Sequence, residues 1–312
     1  MKVAFLDTVH GILQERLSAN GYDCYELYSI TREEILQGRL SDFSGIVIRS
    51  RLTIDARLLA ALPSLKWIAR SGSGLDNIDV EEAEARGVRV INSPEGNRDA
   101  VGEHALGMLL SIMHRIHQGN LSVKGGYWLR EEHRGEELGS KTVGIIGYGV
   151  MGSSFAEKLQ GIGCKVIAYD KYKSGFSSDL VEEVTEEEFF SRSEVVSVHV
   201  PWTSETKGMV DIQWFNRFTK PIIFINTSRG AVVKTADLLD AIDRGVVRYS
   251  ALDVIEFEGN SLEGLELDEE RKATLNRLLK NEQILITPHV AGWSVESYYR
   301  LSSVIADKIL KP

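Results

Sequence analysis

The sequence is short of cysteine and of long apolar runs. Its two cysteines, Cys24 and Cys164, are too few and too far apart to form a disulfide framework or a zinc site. No apolar run reaches the length that a membrane-spanning helix needs. The chain begins directly with a strand pattern, without a basic segment followed by a cleavable apolar one. Taken together, these features favour a cytoplasmic protein.

Positively charged residues are also fewer than negatively charged ones. The 312 residues include 36 lysines and arginines against 45 aspartates and glutamates, which gives a net charge of -9. An excess of negative charge argues against a general nucleic-acid or membrane-surface binder. If the substrate is an anion, local arginines must attract it, because the overall field does not. The length suits two domains better than one.

Residues 142–170 form the stretch around which the chain is organised. A short apolar strand pattern, Val143–Ile146, leads into Gly-Tyr-Gly-Val-Met-Gly (147–152), and a helical pattern follows. A second apolar strand pattern then ends on Asp170. The glycines alone would also fit an ordinary turn. Strand, turn, helix, strand and terminal acid in this order predict a dinucleotide-binding unit.

The glycines and the acid of this stretch have separate physical roles. Gly147 permits the tight turn, Gly149 lets a pyrophosphate approach the backbone, and Gly152 lets the helix pack against the strand. The helix N-terminus offers N–H groups and the positive end of its dipole to the phosphates. Asp170 can accept hydrogen bonds from the adenosine ribose and would repel a 2′-phosphate. We therefore predict NAD rather than NADP as the cofactor.

Strand and helix patterns alternate along the rest of the chain, which predicts parallel sheets with helices on both faces. The further strand patterns lie near residues 2–7, 22–28, 45–48, 65–69, 88–91, 195–200, 222–226, 248–254 and 284–287. The polar segment Ser93–Asn97 is predicted to be a hinge between domains. Asp99 is expected to cap an apolar helix that runs to His117. Such a helix is buried on several sides, within the chain or at a subunit interface.

Three arginines mark one possible ligand site. Parallel sheets bind ligands beyond the carboxyl ends of their strands. Arg49, Arg51 and Arg70 lie at such ends in the first half of the chain, beside the loop Ser71–Gly74. They could be three solvated loop residues, but their common placement at one edge favours an anion site.

A second group of residues in the other half could carry out chemistry. Arg229, Glu258 and His289 each follow a predicted strand. Histidine suits the exchange of a hydroxyl proton during hydride transfer, because it titrates near neutrality. A carboxylate on its other ring nitrogen would fix the tautomer, and an arginine can hold a substrate carboxylate bidentately. Each alone could be a surface or capping residue, but their placement and complementary roles favour a catalytic set.

The remaining histidines are expected to be structural. His199 lies in a strand pattern and should pack or bond a backbone carbonyl. His104, His114 and His117 fall on the predicted helix and have no ordered carboxylate or cysteine partners in the sequence. We therefore predict no metal site.

The sequence resembles the D-isomer-specific 2-hydroxyacid dehydrogenase family over nearly its whole length. The resemblance is carried by the glycine-rich turn with Asp170, and by the segments NTSRGAVV (226–233), ALDVIEFE (251–258) and TPHVAG (287–292). Glutamate at position 258 speaks against the formate dehydrogenase branch, which has glutamine there.

This resemblance implies the residues of the site, with Asp253 on the nicotinamide side. The catalytic residues would be Arg229, Glu258 and His289. The cofactor NAD would contact Gly147, Gly149, Val150, Met151, Gly152, Asp170, Val200, Pro201, Thr227, Ser228, Arg229, Asp253, His289 and Gly292. The substrate would contact Arg49, Arg51, Arg70, Ser71, Gly72, Ser73, Asn97, Arg229, His289 and Trp293.

Within the family, residues 46–53 and 68–80 look most like the branch that oxidises 3-phosphoglycerate for serine biosynthesis. Two departures affect the expected substrate. Gly259-Asn260 replaces a proline in a segment that is longer than usual up to residue 283, and Trp293 replaces a smaller residue. One alternative is a reductase of glyoxylate, hydroxypyruvate or another small 2-oxo acid. Another is an NAD(H)-sensing, protein-binding homologue like the family's corepressors.

The expected fold class is α/β, with two doubly wound parallel-sheet domains. The resemblance implies a Rossmann NAD-binding domain at 98–287 and a flavodoxin-like substrate domain made of 1–97 and 288–312. It also implies a homodimer formed through helix 99–117 and domain closure around a small anionic 2-hydroxy or 2-oxo acid.

Overall fold

The computed structural model describes residues 1–259, 265 and 267–311. In this part of the chain the strands are β1 (Lys2–Phe5), β2 (Asp23–Glu26), β3 (Gly45–Ile48), β4 (Trp67–Arg70), β5 (Arg89–Ile91), β6 (Thr142–Ile146), β7 (Lys165–Tyr169), β8 (Glu182–Glu183), β9 (Val195–Val198), β10 (Ile222–Asn226), β11 (Val247–Leu252) and β12 (Ile284–Ile286). Of the segment predicted to be longer than usual, residues 260–264 and 266 lie outside the described residues.

The helices cover both faces of the sheets that these strands form. They are α1 (Ile12–Ala19), α2 (Arg32–Leu36), α3 (Ala56–Ala60), α4 (Val80–Ala85), α5 (Pro94–Met113), α6 (Ile116–Lys124), α7 (Val150–Leu159), α8 (Glu186–Arg192), α9 (Ile212–Phe215), α10 (Thr235–Asp243), α11 (Glu269–Leu279) and α12 (Val295–Leu310). Among the described residues, no helix has both the length and the apolar character that crossing a membrane requires.

The chain folds into two compact units. The first comprises Met1–Arg98 and the chain from Trp293 onwards. The second comprises Asp99–Glu258 and Leu265–Gly292. The boundary after Arg98 falls inside α5, so one continuous helix belongs to both units.

The first unit is built on a parallel sheet with the strand order β2-β1-β3-β4-β5. Alternate residues of β1 contribute to two apolar cores, one on each face of the sheet. Leu13 of α1 and Ile305 of α12 belong to one core, and Ile35 of α2 and Leu58 of α3 to the other. This strand order is that of flavodoxin-like folds, which confirms the predicted fold.

The second unit contains a parallel sheet with the order β12-β11-β10-β9-β6-β7-β8. Phe155 of α7 and Leu109 of α5 belong to one core of this unit, and Phe189 of α8 and Leu238 of α10 to another. The order runs outward in both directions from β6 and β9, as in a Rossmann fold, and confirms that prediction. Ligands of such sheets bind at the carboxyl ends of the strands beside this switch point.

The predicted polar break lies largely in a helix, and the predicted helix 99–117 has other ends in the structure. The segment Ser93–Asn97 is not a polar break, because α5 begins at Pro94, and Asp99 lies inside the helix, where it pairs with Lys158 at 3.2 Å. Proline is well suited to the first turn of a helix, whose N–H groups have no intrahelical partner. The helix then ends at Met113 and not at residue 117, because Arg115 adopts a left-handed conformation with φ 51° before α6 begins.

Candidate active site

The glycine-rich turn between β6 and α7 provides a place for a phosphate group. Gly147 has φ +89°, and a Cβ there would lie 2.7 Å from the carbonyl oxygen of His199. A Cβ on Gly152 would lie 2.1 Å from the carbonyl oxygen of Gly147. The fold therefore requires both glycines, whereas no atom of the described residues lies within 4 Å of a Cβ on Gly149. Because no side chain of the described residues caps α7, its first N–H groups are left for a ligand such as the NAD pyrophosphate.

Asp170 follows β7 at the same edge of the sheet. Its Oδ2 accepts a hydrogen bond of 2.8 Å from the N–H of Tyr148, and its Oδ1 accepts bonds from the N–H groups of Tyr172 and Lys173. The carboxylate is thus fixed beside the glycine-rich turn, and Oδ2 keeps the capacity to accept a bond from a ribose hydroxyl. Lys171, the next residue, forms an ion pair with Glu205, so its charge is already compensated.

The end of β10 brings three of the predicted residues into a rigid turn. The side-chain oxygen of Asn226 accepts bonds of 3.0 Å from the N–H of Ser228 and 2.7 Å from its hydroxyl. A Cβ on Gly230 would lie 1.9 Å from the carbonyl oxygen of Ile255, so the turn that carries Arg229 packs directly on the loop after β11. Within the described residues, the buried hydroxyl of Thr227 has no hydrogen-bond partner.

His289 and Glu258 form the pair predicted from the sequence. Nδ1 of His289 lies 2.7 Å from Oε2 of Glu258, and Oε1 of Glu258 accepts a bond of 2.6 Å from the N–H of Ile255. The glutamate is therefore held by the backbone and can fix the tautomer of the imidazole. His289 itself has a positive φ of 54°, which is uncommon for a residue other than glycine.

Asp253, at the end of β11, is almost fully buried, with 1% of its surface exposed. Burial opposes ionisation, but hydrogen bonds from His104, Thr287 and two backbone N–H groups outweigh it, so the pKa of Asp253 is lowered. The carboxylate therefore stays charged beside the His289 loop. His104 reaches this site from α5, and the sequence analysis did not assign it there. The position of His104 in the helix gives no indication of this role, because its partners Thr287 and Asp253 lie far away in the sequence.

The other predicted NAD-contact residues have varied surroundings. Val200, after β9, lies against the turn at Gly147, and Pro201 accepts a bond from the hydroxyl of Thr206. His199 is largely buried, its Nε2 lies 2.8 Å from the hydroxyl of Ser197, and burial lowers the pKa of its imidazole to about 4. His199 is therefore a structural residue, bonded to a side chain and not to a backbone carbonyl.

In the first unit, the three predicted arginines have different surroundings. The guanidinium of Arg51 donates to the carbonyl oxygens of Leu6 and Ile30 and contacts Asp7, which occupies it within its own unit. Arg70 donates from Nε to the carbonyl oxygen of Arg49 at 3.3 Å.

Arg49 is the arginine with a partly buried cation and no acidic partner among the described residues. Its guanidinium carbon lies 4.2 Å from the ring centroid of Trp293, and the carboxylate of Asp7 is bonded to the backbone N–H of Arg49. Burial lowers the pKa of Arg49, and the weak attraction to Tyr298 and Asp7 does not compensate for it. An unpaired, desolvated guanidinium favours an anionic ligand.

Two further predicted residues lie near this arginine loop. The hydroxyl of Ser73 donates to the side-chain oxygen of Asn97 at 2.5 Å, although Asn97 lies in α5 and not in a hinge loop. A Cβ on Gly72 would lie 2.3 Å from the guanidinium of Arg70, so Gly72 lies directly against this side chain. Trp293 is 50% exposed.

Comparison with known proteins agrees with this arrangement. Residues 106–291 match the family described as D-isomer specific 2-hydroxyacid dehydrogenase, NAD binding domain. The chain is 33% identical over 312 residues to a D-3-phosphoglycerate dehydrogenase of Archaeoglobus fulgidus, covering 99% of this chain and 57% of that protein. It is 34% identical over 267 residues to a hydroxypyruvate reductase of Thermotoga maritima, covering 85% of this chain and 83% of that protein. The chain belongs to the D-isomer specific 2-hydroxyacid dehydrogenase family.

A solved structure supports the same conclusion. The D-lactate dehydrogenase from Aquifex aeolicus, complexed with NAD and lactic acid, has a TM-score of 0.82 and 26% identity, covering 99% of this chain and 94% of that one. The prediction of NAD as cofactor is confirmed by the match to the family's NAD-binding domain. The chain spans about half the length of the phosphoglycerate dehydrogenases that it matches.

Proposed function

We propose that the protein is an NAD-dependent dehydrogenase that interconverts a D-2-hydroxy acid and its 2-oxo acid. The observation that carries this proposal is the 2.7 Å contact between His289 and Glu258, in the unit that holds the glycine-rich turn and Asp170. The pair has the composition of an acid–base catalyst with an orienting carboxylate.

The site residues of the second unit have different roles in this reaction. Because Glu258 occupies Nδ1 of His289, the Nε2 atom is left to exchange a proton with the substrate oxygen. Arg229 binds the substrate carboxylate and polarises the neighbouring carbonyl. NAD, when bound, supplies the hydride acceptor for oxidation of the alcohol. Asp170 binds the adenosine ribose, and the charged Asp253 lies on the nicotinamide side.

We propose 3-phosphoglycerate and 3-phosphohydroxypyruvate as the substrate pair. The unpaired, partly buried guanidinium of Arg49 supports a phosphate ligand. The structure gives less support to Arg51, because its donors are used by carbonyl oxygens and by Asp7. One observation favours a second candidate, the reduction of hydroxypyruvate or glyoxylate: the indole of Trp293 covers one face of Arg49 and leaves less room for a phosphate.

The test is a comparison of kcat/KM for phosphohydroxypyruvate and hydroxypyruvate with NADH and NADPH. We expect NADH and phosphohydroxypyruvate to be preferred. Arg49→Ala should lower kcat/KM for the phosphorylated substrate by about tenfold or more and leave that for hydroxypyruvate nearly unchanged. Arg49→Lys keeps the charge but loses the planar fork, so its kcat/KM for phosphohydroxypyruvate should lie between those of the wild type and Arg49→Ala.

Arg51→Ala serves as the control, because loss of a structural arginine should affect both substrates equally. Equal losses on both substrates in Arg49→Ala would remove the phosphate assignment. Absence of turnover with every 2-oxo acid would instead support the NAD(H)-sensing, protein-binding alternative.

We also propose that the protein is a cytoplasmic homodimer. Large exposed apolar side chains are concentrated on α6 and the segment after it, namely Ile116, Leu121, Val123, Tyr127, Trp128 and Leu129. Exposed apolar side chains grouped in one stretch of the chain favour association. Since the core face of α5 is used within its own unit, the interface that we propose includes α6. The free thiols of Cys24 and Cys164 support a reducing compartment.

A further inference from the structure

Asp253 holds the backbone of the His289 loop at three consecutive residues. Its carbonyl oxygen accepts a bond of 2.8 Å from the N–H of His289. Its carboxylate accepts bonds of 2.9 Å from the N–H of Val290 and 2.8 Å from that of Ala291. One aspartate thus fixes the direction in which the chain passes through His289.

The carboxylate of Asp253 is in turn held by two side chains from different elements. The hydroxyl of Thr287, just after β12, lies 2.6 Å from Oδ1 of Asp253. Nε2 of His104, on α5, lies 3.0 Å from the same hydroxyl and 3.5 Å from Oδ1 of Asp253. His104, Thr287 and Asp253 therefore form a continuous polar chain that leads to His289.

The direction of the hydrogen bonds in this chain follows from its chemistry. An ionised carboxylate only accepts, so an oxygen–oxygen distance of 2.6 Å requires the Thr287 proton to lie towards Asp253. The hydroxyl oxygen must then accept from His104, and so Nε2 of His104 carries a hydrogen. Met108, whose sulfur lies 3.8 Å from the hydroxyl, is a much weaker alternative acceptor.

The positive φ of His289 explains why these hydrogen bonds are needed. A non-glycine residue in the left-handed region is strained by about 1 kcal/mol or more, and it persists only where its surroundings fix it. Three bonds to Asp253 supply that constraint, and the two that its carboxylate accepts depend on the carboxylate keeping its orientation.

We propose that His104 and Thr287 are positioning residues that set the orientation of the His289 imidazole through Asp253. The consequence for turnover rests on the proposed dehydrogenase function, whereas the positioning itself does not. The competing explanation is that His104 only packs α5 against the end of β12. In that case its loss would lower stability without a specific effect on residues 289–291.

Threonine and valine have the same shape, so Thr287→Val removes only the hydroxyl. In the protein without ligand, we expect the amide hydrogens of Val290 and Ala291 to exchange about tenfold faster than in the wild type, because one charge-assisted bond is lost. Amides in the centre of β6, such as Ile145, should keep their rates. Thr287→Ser retains the hydroxyl and should restore slow exchange at both positions.

His104 is tested with a second matched pair. His104→Leu should also accelerate exchange of the amide hydrogens of residues 290 and 291. His104→Gln should keep their exchange slow, because its side-chain amide can donate from a similar position. With a substrate that the wild type turns over, Thr287→Val should lower kcat by about tenfold with little change in KM, as expected when a catalytic group is misplaced.

Unchanged exchange of Val290 and Ala291 in Thr287→Val overturns the proposal. Uniform acceleration across the second unit does so as well, since it indicates a packing role. If the wild type has no dehydrogenase activity, the proposed function fails, and the exchange rates still decide whether His104 and Thr287 position the loop.

Discussion

At the scale of the residue, the feature that most constrains function is the conformation of His289. Its φ of 54° presents the imidazole to Glu258, while its backbone N–H is bonded to the carbonyl oxygen of Asp253. Asparagine tolerates the left-handed region better than most residues. His289→Asn is therefore a cleaner substitution than His289→Ala, because it removes the proposed acid–base group with less backbone strain.

The first residue-scale prediction follows from this choice. His289→Asn should lower kcat by on the order of a hundredfold or more, since general acid–base catalysis contributes about that much. Binding of NADH, measured by nicotinamide fluorescence, should stay close to the wild-type value. A parallel loss of NADH binding would mean that the imidazole is needed for the shape of the site and not for proton transfer.

The second residue-scale prediction concerns Glu258. Glu258 fixes the tautomer of His289 through the 2.7 Å contact with Nδ1, so Glu258→Gln, whose amide can present either an oxygen or an N–H there, should lower kcat by about tenfold or more. Glu256→Gln offers a nearby control, because Glu256 accepts a bond from the N–H of Thr235 and not from the histidine. An unchanged kcat in Glu258→Gln would show that the pair does not act in proton transfer.

Prediction from sequence succeeded at this scale where residues follow strand ends, and it failed where distant segments meet. Glu258 and His289 could be paired because both follow strands of one parallel sheet. His104 was interpreted as structural because nothing within the helix shows that its ring meets Thr287, 183 positions away. Arg51 was grouped with Arg49, although its guanidinium turns towards the carbonyl oxygens of Leu6 and Ile30.

At the scale of the element, β9 and the residues after it carry a buried ionisable group in the NAD-binding unit. Because burial lowers the pKa of His199 to about 4, the unfolded chain binds a proton there between that pH and about 6.5, while the folded protein does not. Above pH 6.5, the neutral imidazole of His199 therefore makes its full contribution to the free energy of unfolding. Its contribution is lost as the pH falls towards 4, and it amounts to about 3 kcal/mol.

Replacing His199 should therefore flatten the acid side of the stability curve. We expect the free energy of unfolding of His199→Gln, measured by denaturant titration from pH 4 to 7, to change less with pH than that of the wild type. His117, which is exposed, provides the control, and His117→Gln should follow the wild-type curve. An unaltered slope in His199→Gln would show that other groups cause the acid destabilisation.

The helix α5 shows why element boundaries were harder to predict than element types. Pro94 and Gly96 suggested a break, yet both lie in the helix. A Cβ on Gly96 would lie 2.6 Å from the backbone nitrogen of Leu301, so the glycine allows a close approach of α5 and α12. Tertiary packing overrode local propensity here.

At the scale of the whole molecule, the exposed apolar surface around α6 is the feature that calls for a test. Leu121→Glu places a charge within it and should convert a dimer into a monomer in light scattering coupled to size exclusion. Leu279 on α11 is similarly exposed, at 62% against 55% for Leu121. Leu279→Glu should therefore leave the molar mass unchanged. A monomeric wild type would contradict the proposed assembly.

The topology of both sheets was the part of the whole molecule that sequence patterns predicted best. Continuous apolar strands such as Val143–Ile146 alternate with helices, and only parallel sheets covered on both faces satisfy such a pattern.

The packing of α12 on α1 has a consequence for the order in which the protein is made and folds. Phe5 and Leu13 share a core with Ile305 and Ile309, and Arg16 bonds to Asp307 at 2.8 Å. The strands of the first sheet are therefore synthesised long before α12, which completes the apolar cover of one face. The NAD-binding unit is built from residues in between and can close before that. Because the first unit must join segments almost a full chain length apart, its completion is expected to be the slow step of folding.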